Sequence, residues 1–143
     1  MDRKLGGLIL AVLAGSALQA QAGVPMKSGK DFVRACQDSV AIVGGTMEAT
    51  SQEQVTDAAL CQGFITGATQ VISTSATGKY ENGPIRICTA GKKFPILQVA
   101  KEIDAMAREK PDLIAEVDEL SDAVDPPTML TLVALQRIAP CRD

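Results

Sequence analysis

The sequence predicts an all-α protein, built as a small disulfide-stapled bundle of four to five helices. Apolar residues recur at intervals of three and four along most of the chain, which is the spacing of one helix face. Aromatic residues make up only 3% of the chain and tryptophan is absent, so the core must consist of aliphatic side chains. The chain also holds four cysteines, an even number that leaves no obligatory free thiol. A core with so few aromatic side chains needs additional support, which disulfide bonds between these cysteines can give.

The N-terminal stretch has the layout of a secretory signal peptide. Two basic residues precede an apolar run over residues 5–18, and a small-x-small motif ends at Ala22. The run is too short to cross about 30 Å of hydrocarbon, and no later stretch reaches the roughly 18 apolar residues of a membrane helix. We expect cleavage between Ala22 and Gly23, which removes residues 1–22 and leaves one exported domain, periplasmic or extracellular, over residues 23–143 with no membrane span. The alternative is that the apolar run stays in the protein as an uncleaved N-terminal anchor.

Two helices are predicted in the first half of that domain. The first covers Lys27–Val43, with Ser28 as its N-cap, and ends at a pair of glycines. The second begins at a capping box in residues 51–54 and runs to about Thr77. Gly78 then stops it, and the polar, turn-rich residues 78–84 predict an exposed loop.

Three more helical segments are predicted after this loop. The third helix lies between Pro95, in its first turn, and Pro111, which ends it. Residues 112–125 predict a short acidic helix with one apolar stripe. Asp125 caps the last helix, and Pro140 closes it just before the final cysteine.

The helix order favours one disulfide pairing. Short connections make consecutive helices antiparallel, so Cys36 and Cys61 can face each other across a helical hairpin. Cys88 precedes the third helix and Cys141 follows the last, which leaves them as the second pair. Sequence alone allows three connectivities. A zinc site is disfavoured because the chain has no C-x-x-C pair and no histidine, and we expect neither a metal nor a cofactor.

The stretch Cys61-Gln62-Gly63-Phe64-Ile65-Thr66-Gly67 resembles the Rap/Tai immunity family, the immunity proteins of type VI secretion amidases. The resemblance includes a cysteine one helix earlier, another before a Pro-containing helix and the terminal Pro140-Cys141, and it covers nearly the whole domain. Phe64 stands where tyrosine is usual. The resemblance implies a periplasmic antidote: a helical homodimer that binds and inhibits a peptidoglycan amidase effector and so protects the producing cell.

The same motif also has a purely structural interpretation. Gly63 and Gly67 are four residues apart on one helix face, where small residues let another backbone approach closely. Cys61 would then act as a crosslink and Phe64 would pack in the core. All of these roles serve folding, whatever the function.

The composition disfavours an enzyme and a nucleic-acid-binding protein. The chain lacks histidine, its cysteines are expected to be oxidised, and no phosphate-binding loop or nucleophile motif occurs. Without the leader the chain carries 16 acidic and 12 basic side chains, because Asp2, Arg3 and Lys4 are removed from totals of 17 and 14. Phosphate binding needs a basic surface instead.

A binding module remains, and two surfaces are candidates for a protein partner. The predicted loop holds the only tyrosine of the chain, a residue type that often anchors interfaces, and the acidic segment holds concentrated negative charge. The candidate residues are Lys79, Tyr80, Glu81 and Asn82 in the loop and Glu116, Asp118 and Glu119 in the acidic segment. Each surface also has an interpretation without a partner. The loop can be an ordinary solvated turn, and the acidic segment can be a solvated charged face that serves solubility.

Two other functions stay open from the sequence. A periplasmic acid-stress chaperone could use the 16 carboxylates as its sensor, because protonation removes negative charge and a partly opened bundle then exposes apolar faces to clients. A housekeeping envelope protein with an unknown partner is the second alternative.

Overall fold

Five α-helices and one β-hairpin form the described part of the chain, residues 26–74 and 78–141 of a computed structural model. The elements, in chain order, are α1 (Gly29–Val43), α2 (Gln52–Ser73), β1 (Lys79–Asn82), β2 (Ile85–Cys88), α3 (Ile96–Glu109), α4 (Pro111–Glu119) and α5 (Pro126–Ile138). The helical bundle is therefore confirmed, whereas the strictly all-α class is wrong because of the two-stranded sheet. The proposed leader, residues 1–22, and the last three predicted residues of the second helix, 75–77, lie outside the described residues.

The helices begin where their capping residues predict. The side-chain oxygens of Ser28, Ser51 and Asp125 accept the backbone N–H of the residue three positions later, at 3.1, 3.2 and 3.0 Å. The acidic segment is only half helical, because α4 ends at Glu119 and turns lead from there to Asp125. The predicted end of the third helix is confirmed, since Glu109 is followed by one non-helical residue before Pro111.

The core lies where α1 packs against α2 and α3 and where α5 covers them. Its largest fully buried side chains are aliphatic, apart from Phe32, as the composition predicts. They include Ile65, Ile72, Ile87, Ile103, Met106, Leu130 and Leu135. Among the described residues, no helix is long and apolar enough to cross a membrane.

Both predicted disulfides are confirmed. Cys36 and Cys61 join α1 to α2 across the helical hairpin, with Cα atoms 5.2 Å apart. Cys88 at the end of β2 joins Cys141 after α5, with Cα atoms 5.0 Å apart. Each crosslink therefore fastens one pair of elements that also pack together.

The predicted loop at residues 78–84 is wrong, because it forms half of a β-hairpin. β1 pairs with β2 in antiparallel register, with Tyr80 opposite Ile87, and Gly83 begins the two-residue connection with a φ of 57°. The physical reason is the alternation in β2, where Ile85 and Ile87 are buried and Arg86 between them points away from the core.

Candidate protein-binding groove

An apolar groove of about 430 Å³ lies between α2, the hairpin and the first turns of α5. We call it the α2 groove, and its volume falls within the range of ordinary ligand and side-chain pockets. Its lining residues are Gly63, Phe64, Gly67, Ala68, Val71, Ile72, Tyr80, Thr128 and Leu132. The groove thus brings the glycine motif of α2 together with the tyrosine that was predicted to contact a partner.

The two glycines of α2 open the groove rather than close a helix contact. A Cβ atom built on Gly63 or Gly67 meets no atom within 4 Å outside its own helix, and both residues are exposed. The expected close approach of another backbone is therefore absent among the described residues. The reason is that the crosslinked face of α2, with Cys61 and Ile65, packs against α1, and the glycines lie on a different face.

Phe64 forms part of the groove wall and anchors it to the core. Its ring packs edge-on against that of Phe32, with ring centroids 5.5 Å apart. About two turns further along α2, Val71 is 68% exposed, the largest value among the bulky apolar side chains of the described residues. An apolar wall held by the core but open to solvent is a suitable contact for an apolar group of a partner.

Tyr80 reaches the groove because of the strand that carries it. Neighbouring side chains of a strand point to opposite faces, so Tyr80 packs towards the core while Glu81 is exposed and pairs with Arg86 at 3.3 Å. Lys79 and Asn82 are exposed on the same strand. Of the four predicted hairpin residues, only Tyr80 lines the groove.

The acidic candidates lie on α4, which contributes no residue to the groove. Asp118 is half-buried, and its carboxylate accepts a hydrogen bond from the backbone N–H of Gly29 at the start of α1. Glu116 and Glu119 are exposed. The structure therefore separates the two predicted binding surfaces and gives Asp118 a partner within the chain.

The groove is poor in groups that could transfer protons. Apart from the Tyr80 phenol, its polar side chain is Thr128, whose hydroxyl donates to the carboxylate of Asp125 at 2.7 Å. The described carboxyl groups with clearly displaced pKa values lie elsewhere. Burial and the nearby Asp57 raise the pKa of Asp38, and the hydrogen bond from Arg137 lowers the pKa of Glu109. The groove is suited to apolar contact rather than acid–base chemistry.

Several lining residues were missed by sequence reasoning, namely Ala68, Val71, Thr128 and Leu132. A signal was present for two of them, because α2 carries apolar residues on more than one face. Ala58, Cys61, Ile65 and Ile72 form its buried face, and Gly63, Phe64, Gly67, Ala68 and Val71 add a second stripe. A helix that is apolar on several sides needs more than one packing partner.

No family model, curated protein or solved structure matches this chain. The resemblance of the stretch from Cys61 to Gly67 to the Rap/Tai family therefore stays a prediction. In the described structure, three residues of that stretch line the α2 groove.

Proposed function

We propose that the chain is a periplasmic immunity protein that binds and inhibits a type VI secretion peptidoglycan amidase and thereby protects the producing cell. The α2 groove carries this proposal. It is a concave apolar surface on a crosslinked domain, and such surfaces mark contact sites for partners. The motif that resembles the Rap/Tai family supplies Gly63, Phe64 and Gly67 to the same surface.

A protein partner fits this groove better than a reacting substrate. Tyrosine is favoured at interface hot spots, and Tyr80 borders a pocket whose other lining residues are apolar except for Thr128. The disulfide that joins α1 to α2 and the Phe32–Phe64 contact hold the α2 wall in place before binding. Little conformational entropy is then lost on association, which favours affinity.

In this proposal the effector inserts one or two apolar side chains into the α2 groove, and the hairpin contacts the surface around them. Glu81 and Arg86 pair with each other and lie on the exposed part of the hairpin, where they can contribute polar contacts at the rim. Inhibition then follows from occlusion, because the bound domain blocks access of peptidoglycan to the amidase.

The decisive experiment fills the groove. Gly67→Leu places a bulky side chain where no atom now lies within 4 Å of the Cβ position. Lys101→Leu, at an exposed position of α3, is the matched control because it adds the same side chain outside the groove. The proposal requires an amidase gene in a neighbouring open reading frame. Calorimetry with the product of that gene should show at least a tenfold weaker Kd for Gly67→Leu, about 1.4 kcal/mol, and an unchanged Kd for the control.

The titration and an aggregation assay at low pH together separate an immunity protein from a chaperone. An inhibitor binds its effector with fixed stoichiometry at neutral pH and abolishes peptidoglycan hydrolysis, whereas a chaperone suppresses aggregation of unrelated proteins in acid. Equal affinity of the groove-filled variant and the control would show that the groove is not the contact surface. Failure of the unmodified chain to bind or inhibit that amidase would contradict the proposed function.

A further inference from the structure

We infer that the Cys88–Cys141 disulfide is a redox-sensitive latch on the α2 groove, which a dithiol reductant opens while the Cys36–Cys61 disulfide stays closed. The inference rests on the different burial of the two crosslinks and on the elements that each one fastens. It concerns the response of the groove to a reductant and does not depend on which partner the groove binds.

The two disulfides differ in their access to solvent. Cys36 and Cys61 are both 0% exposed and lie in the core beside Phe32 and Ile65. Cys88 and Cys141 are partly exposed at the edge of the hairpin. Reduction requires that a thiolate reaches a sulfur atom of the disulfide, so the rate depends on access. The outer crosslink therefore reacts first.

Non-covalent contacts also fasten the two elements that the outer crosslink joins. The backbone N–H of Cys88 donates to the carbonyl of Ala139 at 2.9 Å, and Ile87 forms an isolated bridge with Pro140. These contacts join β2 to the chain end just after α5. When the crosslink opens, only non-covalent contacts, including the core packing of Ile85 and Ile87, continue to fasten the hairpin to α5.

Opening the crosslink changes the groove because the joined elements are two of its walls. β2 pairs with β1, which carries Tyr80, and α5 supplies Thr128 and Leu132 on the other side. The third wall, on α2, is held by the buried disulfide and by the Phe32–Phe64 contact. Reduction thus loosens the hairpin relative to a wall that stays fixed, and Tyr80 becomes more accessible.

The chemistry is ordinary thiol–disulfide exchange. A thiolate of the dithiol reductant attacks one sulfur of the outer disulfide, the S–S bond breaks, and the departing cysteine thiolate takes up a proton. The second thiol of the reductant then attacks the mixed disulfide. The reductant ends as a disulfide, and Cys88 and Cys141 end as thiols, so two electrons and two protons have been transferred.

Tyr80 provides a direct readout of the latch. The chain has one tyrosine and no tryptophan, so its intrinsic fluorescence reports on the groove alone. The oxidised protein is treated with dithiothreitol at neutral pH, samples are alkylated at intervals, and peptide mapping identifies the modified cysteines. Quenching of Tyr80 by acrylamide, a neutral quencher, is measured in the same samples.

We expect Cys88 and Cys141 to be alkylated at least tenfold faster than Cys36 and Cys61. The acrylamide quenching constant should rise about twofold when only the outer pair is reduced. The Cys88→Ser/Cys141→Ser variant should show the higher constant without reductant and no change at low dithiothreitol. If that variant does not fold, the partially reduced natural chain decides alone. Simultaneous reduction of both disulfides, or an unchanged quenching constant after selective reduction, overturns the inference.

Discussion

Asp118 stabilises the first turn of α1 from a different helix. Its carboxylate accepts the N–H of Gly29, one of the backbone donors that lack a partner at a helix N-terminus. A negative charge at this position also interacts favourably with the helix dipole. The side chain thus ties α4 to α1, which makes its role in the described structure conformational.

We predict that Asp118→Ala lowers the free energy of unfolding by about 1 to 2 kcal/mol, because a charge-assisted hydrogen bond at a helix end is lost. Glu119→Ala, at the neighbouring exposed position, should change it by less than about 0.5 kcal/mol. Urea unfolding followed by circular dichroism measures both. Equal losses in the two variants would show that the Gly29 contact contributes little.

The glycines of the chain differ in the space around them, and substitution by alanine should separate them. Gly67→Ala adds a methyl group to an open helix position, so we expect the domain to gain up to about 1 kcal/mol of stability from helix propensity. Gly29→Ala should destabilise the domain, because the new Cβ would lie 3.1 Å from the Asp118 carboxylate and 3.2 Å from Leu130. The melting temperatures of both variants show whether each substitution stabilises or destabilises the domain. A loss of stability in Gly67→Ala would mean that this position is already packed.

The hairpin depends on Gly78 at its entrance. Gly78 has a φ of 66°, and a Cβ there would lie 2.9 Å from the Cβ of Ala90. Gly83 has a similar positive φ of 57° but open space around it. The two positions therefore separate backbone strain from steric overlap.

We predict that Gly78→Ala costs about 2 kcal/mol or more and that Gly83→Ala costs about 1 kcal/mol, since the second variant bears the left-handed strain alone. Urea unfolding of the two variants measures the difference. Hydrogen exchange of the hairpin amides should also be faster in Gly78→Ala. Identical costs would show that Ala90 moves away without penalty.

Arg137 joins α5 to α3 through two carboxylates. Its guanidinium lies 2.7 Å from Glu102 and 2.7 Å from Glu109, and the hydrogen bond to Glu109 holds the pKa of that carboxyl below its ordinary value. A lowered folded-state pKa means that the contribution to stability is complete above the unfolded-state pKa of about 4.3. It is lost as the pH falls through the folded-state value.

We therefore predict that Glu109→Gln flattens the decline of stability below about pH 4.3 and has only a small effect at neutral pH, as exposed ion pairs do. Asp38 acts in the opposite sense, because burial raises its pKa and its ionised form is the unfavourable one in the folded state. Asp38→Asn should then raise the stability slightly at neutral pH. Urea midpoints between pH 3 and pH 7 test both. If stability declined at low pH as steeply in Glu109→Gln as in the natural chain, the pair of Glu109 with Arg137 would not be its cause.

Most elements could be predicted from local signals, and the exceptions have physical causes. Ser28, Ser51 and Asp125 mark helix starts because caps act within one turn of the chain. The hairpin was missed because its alternation, from Ile85 to Ile87, is only three residues long. Gly83 at the first position of a two-residue connection was the available signal.

The groove could be predicted only in part. The sequence indicated that Gly63 and Gly67 share a face of α2 with Phe64 close by, and it singled out Tyr80. It could not indicate that β1 folds back beside α2, because that contact depends on the packing of β2 against the end of α5. Long-range contacts of this kind leave no periodic pattern in the chain.

At the scale of the whole molecule, the crosslinks compensate for a lean core. In the chain-entropy model, loops with sequence separations of 25 and 53 residues contribute about 3.5 and 4 kcal/mol at most. Domains of this size have a net stability of about 5 to 15 kcal/mol. The two disulfides are thus comparable to the whole margin between the folded and unfolded states.

The two covalent loops follow one another along the chain without interleaving, since the first cysteine is joined to the second and the third to the fourth. We propose export from the sequence of residues 1–22. For a chain exported N-terminus first, an oxidase that joins cysteines in their order of arrival makes only native bonds. Maturation should then need no disulfide isomerase. Equal yields of correctly paired protein from cells with and without that enzyme would show that maturation is independent of it, and scrambled pairs in its absence would refute this.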